Sequence, residues 1–116
     1  MEVIKVEIDN YPNMYEKNID KYVLVNEKEI ILGIAKINEK LDINKLQIDI
    51  FDEYSGNGYG KFLFRELLKE YEINYGKKDL RFEINSENRF GCILNKFGGI
   101  NVSNNNGNLV YILPMK

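Results

Sequence analysis

The chain reads as an α/β protein (α+β in layout): a central mixed, mostly antiparallel sheet of about six to seven strands with two to three helices. Three observations predict it. Short runs such as Val3 to Ile8, Lys45 to Phe51 and Asp79 to Ile84 alternate apolar and polar residues, the period of a strand. Two stretches switch to helical spacing, one through Phe62, Leu63, Leu67, Leu68 and Tyr71, the other through Phe90, Ile93, Leu94 and Phe97. The first of these helices lies between two strands, so Lys45 to Ile84 is a strand–helix–strand unit, which predicts a parallel pair and a right-handed crossover.

The elements follow in order. Val3 to Ile8 is the first strand. Asp9 to Asp20 holds Pro12 and scattered apolar positions, which predicts a short N-terminal helical region with turns. Tyr22 to Asn26 and Ile30 to Asn38 flank Glu27-Lys28-Glu29 and read as a hairpin. After the strand Lys45 to Phe51 comes a glycine-rich bend. A helix then runs from Tyr59 to Tyr75 and stops at Gly76. Asp79 to Ile84 is a strand, and Glu87 to Phe97 a helix ending at Gly98-Gly99. Ile100 to Ser103 and Leu109 to Leu113 close the chain as a hairpin around Asn104-Asn105-Asn106-Gly107.

Composition narrows the function. With 116 residues, 44% apolar and 29% charged, the chain fits a single domain over 1–116. A net charge of -2 leaves no basic excess to neutralise a nucleic-acid backbone. No apolar run is long enough to span a bilayer, and Met1-Glu2-Val3-Ile4-Lys5 does not open a secretory leader; both predict a cytoplasmic protein. One cysteine, Cys92, fits a reducing compartment and reads as a small packing residue of the last helix. There is no histidine, so a zinc site or a histidine-based triad is not available, and no metal is expected.

The bend Ser55-Gly56-Asn57-Gly58-Tyr59-Gly60-Lys61 is the strongest local signal. Glycines at alternate positions let a ligand approach the backbone, and the helix that follows presents unpaired N–H groups with about half a positive charge from its dipole. That combination suits a phosphate or diphosphate. A P-loop does not fit, because Phe62 stands where a hydroxyl must follow Gly60-Lys61 and Ser55 replaces the first glycine. A dinucleotide fingerprint does not fit either, since the third glycine comes one place early and the bend lies mid-chain after a meander.

Strand, glycine-rich bend, helix, strand and second helix in this order resemble the GNAT superfamily of acyl-CoA N-acyltransferases. Ser55-Gly56-Asn57-Gly58-Tyr59-Gly60 stands where that family carries Arg/Gln-Gly-x-Gly-x-Gly/Ala. Leu80-Arg81-Phe82-Glu83-Ile84-Asn85-Ser86-Glu87-Asn88, followed by Gly91 and Leu94-Asn95-Lys96-Phe97-Gly98-Gly99-Ile100, is similar to the family's next strand and helix. The likeness runs from Tyr22 onward.

The resemblance implies an N-acetyltransferase: an amine attacks the thioester of acetyl-CoA directly in a ternary complex. It implies that the cofactor diphosphate sits on the amides of Gly56 to Lys61, with Ser55, Asn57, Tyr59 and Gly60 in the same bend. It implies that the pantetheine arm pairs with the strand edge at Asp49, Ile50 and Phe51, that an N–H near Ile50 meets the oxyanion, and that Asn88 lies near pantetheine. Lys61 then adds charge or is a solvated lysine of the first turn; Asn88 alternatively caps its own helix. Where the family has a tyrosine that protonates the leaving thiolate, this chain has Asn95, or Leu94 in a shifted match. Asp49, Glu53 and Glu83 are the base candidates beside the cofactor strands, each alternatively a surface carboxylate. Tyr111 is a substitute acid or a half-buried strand residue. Departure at the tyrosine keeps a second class open: a catalytically quiet domain of the same fold that binds CoA or a protein partner without turnover. The acceptor is a small amine, an amino acid or a protein amino group, and a homodimer is an option.

Gln47, Asp49, Arg81 and Glu83 alternate onto one face of two strands that would be apolar on both faces in a fully covered sheet. That face is therefore expected to be partly open, as an acidic acceptor groove or under a second subunit.

Overall fold

The computed structural model describes residues 1–39, 43–85, 90–105 and 107–115. Strands β1 (Glu2–Lys5), β2 (Asp20–Val25), β3 (Ile31–Asn38) and β4 (Asn44–Ile50) precede helix α1 (Tyr59–Tyr75); β5 (Leu80–Asn85), α2 (Phe90–Lys96), β6 (Ile100–Asn105) and β7 (Asn108–Leu113) follow. All seven strands join one mixed sheet in the order β1-β2-β3-β4-β5-β7-β6. Each neighbouring pair is antiparallel except β4–β5, which is parallel across the α1 crossover. The fold class expected from alternation and helical spacing is the one observed.

Helix α1 ends where its glycines stand. Gly58 is its N-cap in the left-handed region, and Gly76 follows Tyr75 at a φ of 72°. Its buried stripe of Leu63, Phe64, Leu67 and Tyr71 lies on Tyr22, Leu24, Ala35, Ile37, Leu46, Leu80 and Phe82 of the sheet. Phe64 is the hub, with edge-on contacts to Phe82, Phe90 and Phe97 at ring separations of 5.0 to 5.4 Å. Such aromatic pairs add about 0.5–1.5 kcal/mol each beyond their buried area. Leu94 of α2 is buried in the same cluster, so both helices cover one face.

The other face is treated differently along its width. Behind β1 to β3, Val6, Val23 and Val25 form a second small core under Tyr11 and Met14. The segment that covers them is not a helix. Tyr11 N–H to the Glu7 carbonyl and Tyr15 N–H to the Tyr11 carbonyl are isolated turns. Pro12 lacks the donor that would link them, Asn10 Oδ1 captures the Glu7 N–H at 2.7 Å, and Asn18 takes a φ of 72°. Lys21 pins this segment, donating to the Met14 carbonyl at 2.9 Å and to Glu16 Oε1 at 2.6 Å. Behind β4 and β5 no helix covers the sheet among the described residues: Lys45, Gln47, Asp49 and Glu83 are exposed there.

Candidate active site

Strands β4 and β5 pair only at their starts, Asn44 with Leu80 and Lys45 with Arg81, and then part. The base of this split is closed by the Asn44 N–H, which donates to the Asp79 carbonyl at 3.1 Å. Above it opens a cleft of about 700 Å³ between the strands, with the glycine-rich bend and the start of α1 on its rim.

Alternation along β4 decides which amides face the cleft. Asn44 N–H points to β5, and Phe51 N–H donates to the Leu32 carbonyl on β3 at 3.0 Å. Successive amides of a strand point to opposite sides, so those of Ile48 and Ile50 turn towards β5 beyond the last paired position. Two such donors are spaced about 6.8 Å apart. Gly33, opposite Ile50, lets the two backbones come close: a Cβ there would lie 2.5 Å from Ile50 Cδ1 and 2.8 Å from the Asp49 carbonyl oxygen.

The bend is held by its own side chains. After a 3₁₀ turn at Asp52–Tyr54, Ser55 Oγ donates to the Asp52 carbonyl at 2.9 Å, and Asn57 Nδ2 donates to the Tyr54 carbonyl at 3.1 Å. Gly56 and Gly58 have φ of 80° and 79°, the left-handed region that suits glycine. Phe62 N–H is the first to bond within the helix, to the Gly58 carbonyl. Helix α1 has no side-chain cap and no acidic residue in its first turn. The N–H groups of Tyr59, Gly60 and Lys61 are thus the orphan donors of its N-terminus, on the cleft rim.

Of the residues singled out in the sequence, Asp49, Ile50, Ser55, Gly56, Gly58, Tyr59, Gly60, Lys61 and Glu83 line this cleft. Phe51 turns its amide away into β3, and Asn57 spends its side chain on the bend. Glu53 is exposed on the 3₁₀ turn, away from the cleft lining. Asn95 is exposed on α2 and does not line the cleft, because the helical turn that buries Leu94 faces the next residue to solvent. Tyr111 is buried on β7 with its hydroxyl against Gly91, where a Cβ would sit 2.9 Å away. Cys92 is exposed rather than packed. Asn88 lies outside the described residues. Sequence reasoning missed Gly33, although a glycine inside a strand is a standing sign of close backbone approach. It also missed Phe90 and Ile93, which wall the cleft from α2.

On the face away from the helices a second cavity of about 340 Å³ adjoins the first. Leu46, Gln47 and Glu83 line both. Three cations, Lys36, Lys45 and Arg81, and one carboxylate, Glu83, surround it, so the open face does not carry the acidic groove expected of it.

The sequence matches no family model and no curated protein. Solved structures match it closely in shape. A chimera of spermidine N-acetyltransferase SpeG from Vibrio cholerae and hSSAT superposes with a TM-score of 0.77 at 12% identity, over 99% of this chain and 96% of that one. The PaiA N-acetyltransferase of Thermoplasma acidophilum, solved with coenzyme A, gives 0.75 at 13% identity, over 97% and 98%. A glutamine-substituted form of Vibrio cholerae SpeG gives 0.66 at 16%, over 88% and 70%. Both kinds of neighbour are N-acetyltransferases of GNAT fold, and this chain shares that fold.

Proposed function

We propose that the protein is an N-acetyltransferase that moves an acetyl group from acetyl-CoA to an amine by direct attack in a ternary complex. The observation that carries this reading is the split between β4 and β5, with strand amides along one wall that no described β5 residue pairs and an uncapped helix start on its rim. The residues present fit an acyl-CoA. Amides of the bend and of Tyr59 to Lys61 suit the diphosphate, and an anion at a helix N-terminus gains about 0.3–1 kcal/mol from the dipole, more when partly buried. Ile48 and Ile50 offer strand hydrogen bonds to the amides of a pantetheine arm. The PaiA neighbour, solved with coenzyme A, supports the same choice of co-substrate.

The acetyl group comes from the thioester; the chain supplies position and charge. Holding two reactants in the cleft is worth about 7–11 kcal/mol of barrier. The Ile50 amide stands where oxygen charge develops as an amine adds to the acyl carbon. Glu83, at the junction of the two cavities, accepts the proton that the amine sheds; Asp49 on β4 and Asp52 on the 3₁₀ turn are the other carboxylates among the cleft-lining residues.

Asn95 favours a second reading, in which the domain binds CoA without turnover, because the helix that carries an acid in the resembling family here turns an amide to solvent. Calorimetry with acetyl-CoA, followed by thiol release over a panel of amines, separates the two. Binding and release support the enzyme. Binding with no release on any amine supports the quiet domain, and no binding contradicts both.

A further inference from the structure

Lys36 of β3, Lys45 of β4 and Arg81 of β5 converge on the open face of the sheet. Register makes them neighbours. Lys36 pairs with Gln47, one same-face step from Lys45, and Lys45 stands beside Arg81. Like charges set side by side repel. The chain gathers them nevertheless around one cavity of about 340 Å³, which Asn38, Gln47 and Glu83 complete.

Counter-charge there is thin. Glu83 Oε2 lies 3.9 Å from Arg81 Nη2, and Glu83 Oε1 also meets Asn108 Nδ2 at 3.5 Å. Arg81 Nε is buried with no hydrogen-bond partner. Lys36 and Lys45 make no ion pair with another described residue. Glu16, whose charge is felt by Lys36, is already bonded to Lys21 at 2.6 Å and held below the usual carboxylate range chiefly by that bond. A buried donor with no acceptor is costly, and an anion in the groove would supply the acceptor.

We propose that this groove seats the acceptor, and that the acceptor is an amine that also bears a carboxylate, of amino-acid size. This rests on the acyltransfer reading above. The cavity is at the small end of ligand pockets, which run to about 300–1,000 Å³. A guanidinium with a lysine beside it is the preferred setting for a carboxylate. With the carboxylate on Arg81 and Lys45, the amine end reaches Glu83, which opens into the cleft. The amine nitrogen bonds to the acyl carbon as the carbon–sulfur bond breaks. The nitrogen's proton goes to Glu83 and the departing thiolate takes one from water; Glu83 then gives its proton to the hydroxide that is left, which restores carboxylate and water with no change of oxidation state. A polycation such as spermidine meets three like charges in the same place.

The test uses the whole chain with acetyl-CoA. Thiol release is followed on the common amino acids, on their carboxamides and on spermidine. An amino acid should be used with kcat/KM about tenfold or more above its carboxamide and above spermidine. Arg81→Gln combined with Lys45→Gln should raise KM for that amino acid about tenfold and close the gap to the carboxamide, while calorimetry shows acetyl-CoA affinity unchanged. Should that double variant not fold, Lys45→Gln alone should raise KM for the amino acid and narrow the gap to the carboxamide in the same way. Preference for spermidine or carboxamides, no use of any amino acid by a protein that binds acetyl-CoA, or a gap untouched by these substitutions overturns the proposal. Failure to bind acetyl-CoA at all overturns the acyltransfer reading beneath it, and calorimetry tells the two failures apart.

Discussion

Asn44 Nδ2 donates to Tyr71 Oη across 2.8 Å, and Tyr71 Oη donates in turn to the Lys78 carbonyl at 2.8 Å. Both side chains are buried. The pair ties the first residue of β4 to the last turns of α1 and to the entry of β5, just where those strands pair at Asn44–Leu80 and Lys45–Arg81. The cleft can widen above because its base is fixed below.

Tyr71→Phe removes the acceptor of Asn44 and the donor to Lys78 together. Stability should fall by about 1–3 kcal/mol, since a buried amide is left unpaired. Urea unfolding should show a lower midpoint with an unchanged slope. An unaltered midpoint would mean that the pair does not hold the base.

Alkali should loosen the same end of α1. Burial pushes the Tyr71 phenol above its ordinary value, and burial followed by the hydrogen bond to Asp20 does the same for Tyr75. A raised folded value means that the native state keeps protons the unfolded chain gives up, so this stability is complete below pH of about 10 and is lost as pH climbs beyond it. Tyr75→Phe should flatten the alkaline fall of the urea midpoint. An identical alkaline slope in the variant would contradict it.

Gly33→Ala places a methyl group 2.5 Å from Ile50 Cδ1 and 2.8 Å from the Asp49 carbonyl oxygen. The side chain can rotate away; the backbone oxygen cannot, so β4 must shift. A loss of about 1–3 kcal/mol is expected from such overpacking, together with weaker acetyl-CoA binding as the Ile50 amide moves. Calorimetry and thermal unfolding read the two effects; full affinity in a destabilised variant would show that the Ile50 amide is not a contact.

Glu83→Gln should lower kcat by about a hundredfold on the best amine, with acetyl-CoA affinity unchanged, if Glu83 takes the amine proton. Steady-state rates with calorimetry on the same protein decide it. A larger loss from Asp49→Asn would move the base to the other wall.

Much of this layout was legible in the sequence. Gly58 and Gly76 bound α1 at the residues where helical spacing begins and stops, and the alternating runs became strands β1 to β7 with ends shifted by a few positions. The segment after β1 reads as partly helical in the sequence because its apolar spacing serves a cap over Val23 and Val25, held by Lys21 and broken by Pro12. Likeness to a family pattern points to Asn95, and burial of Leu94 sends that side chain outward. The sign of the open groove was hidden for a different reason. Lys36 and Lys45 are separated in the chain, and only strand register sets them beside Arg81.

The central claim is that main-chain donors at the bend after β4 hold the diphosphate of an acyl-CoA, and titration of acetyl-CoA into the wild-type chain and Gly58→Asp tests it most directly. Gly58 has open space around it but a φ of 79°, so aspartate there adds an anion and modest strain without a clash. Gly58→Asn carries similar strain without the charge and serves as the control. The account predicts measurable binding by the wild type, a loss of about tenfold or more in Gly58→Asp, and a smaller loss in Gly58→Asn. Equal affinity in all three proteins, or none in the wild type, would contradict it.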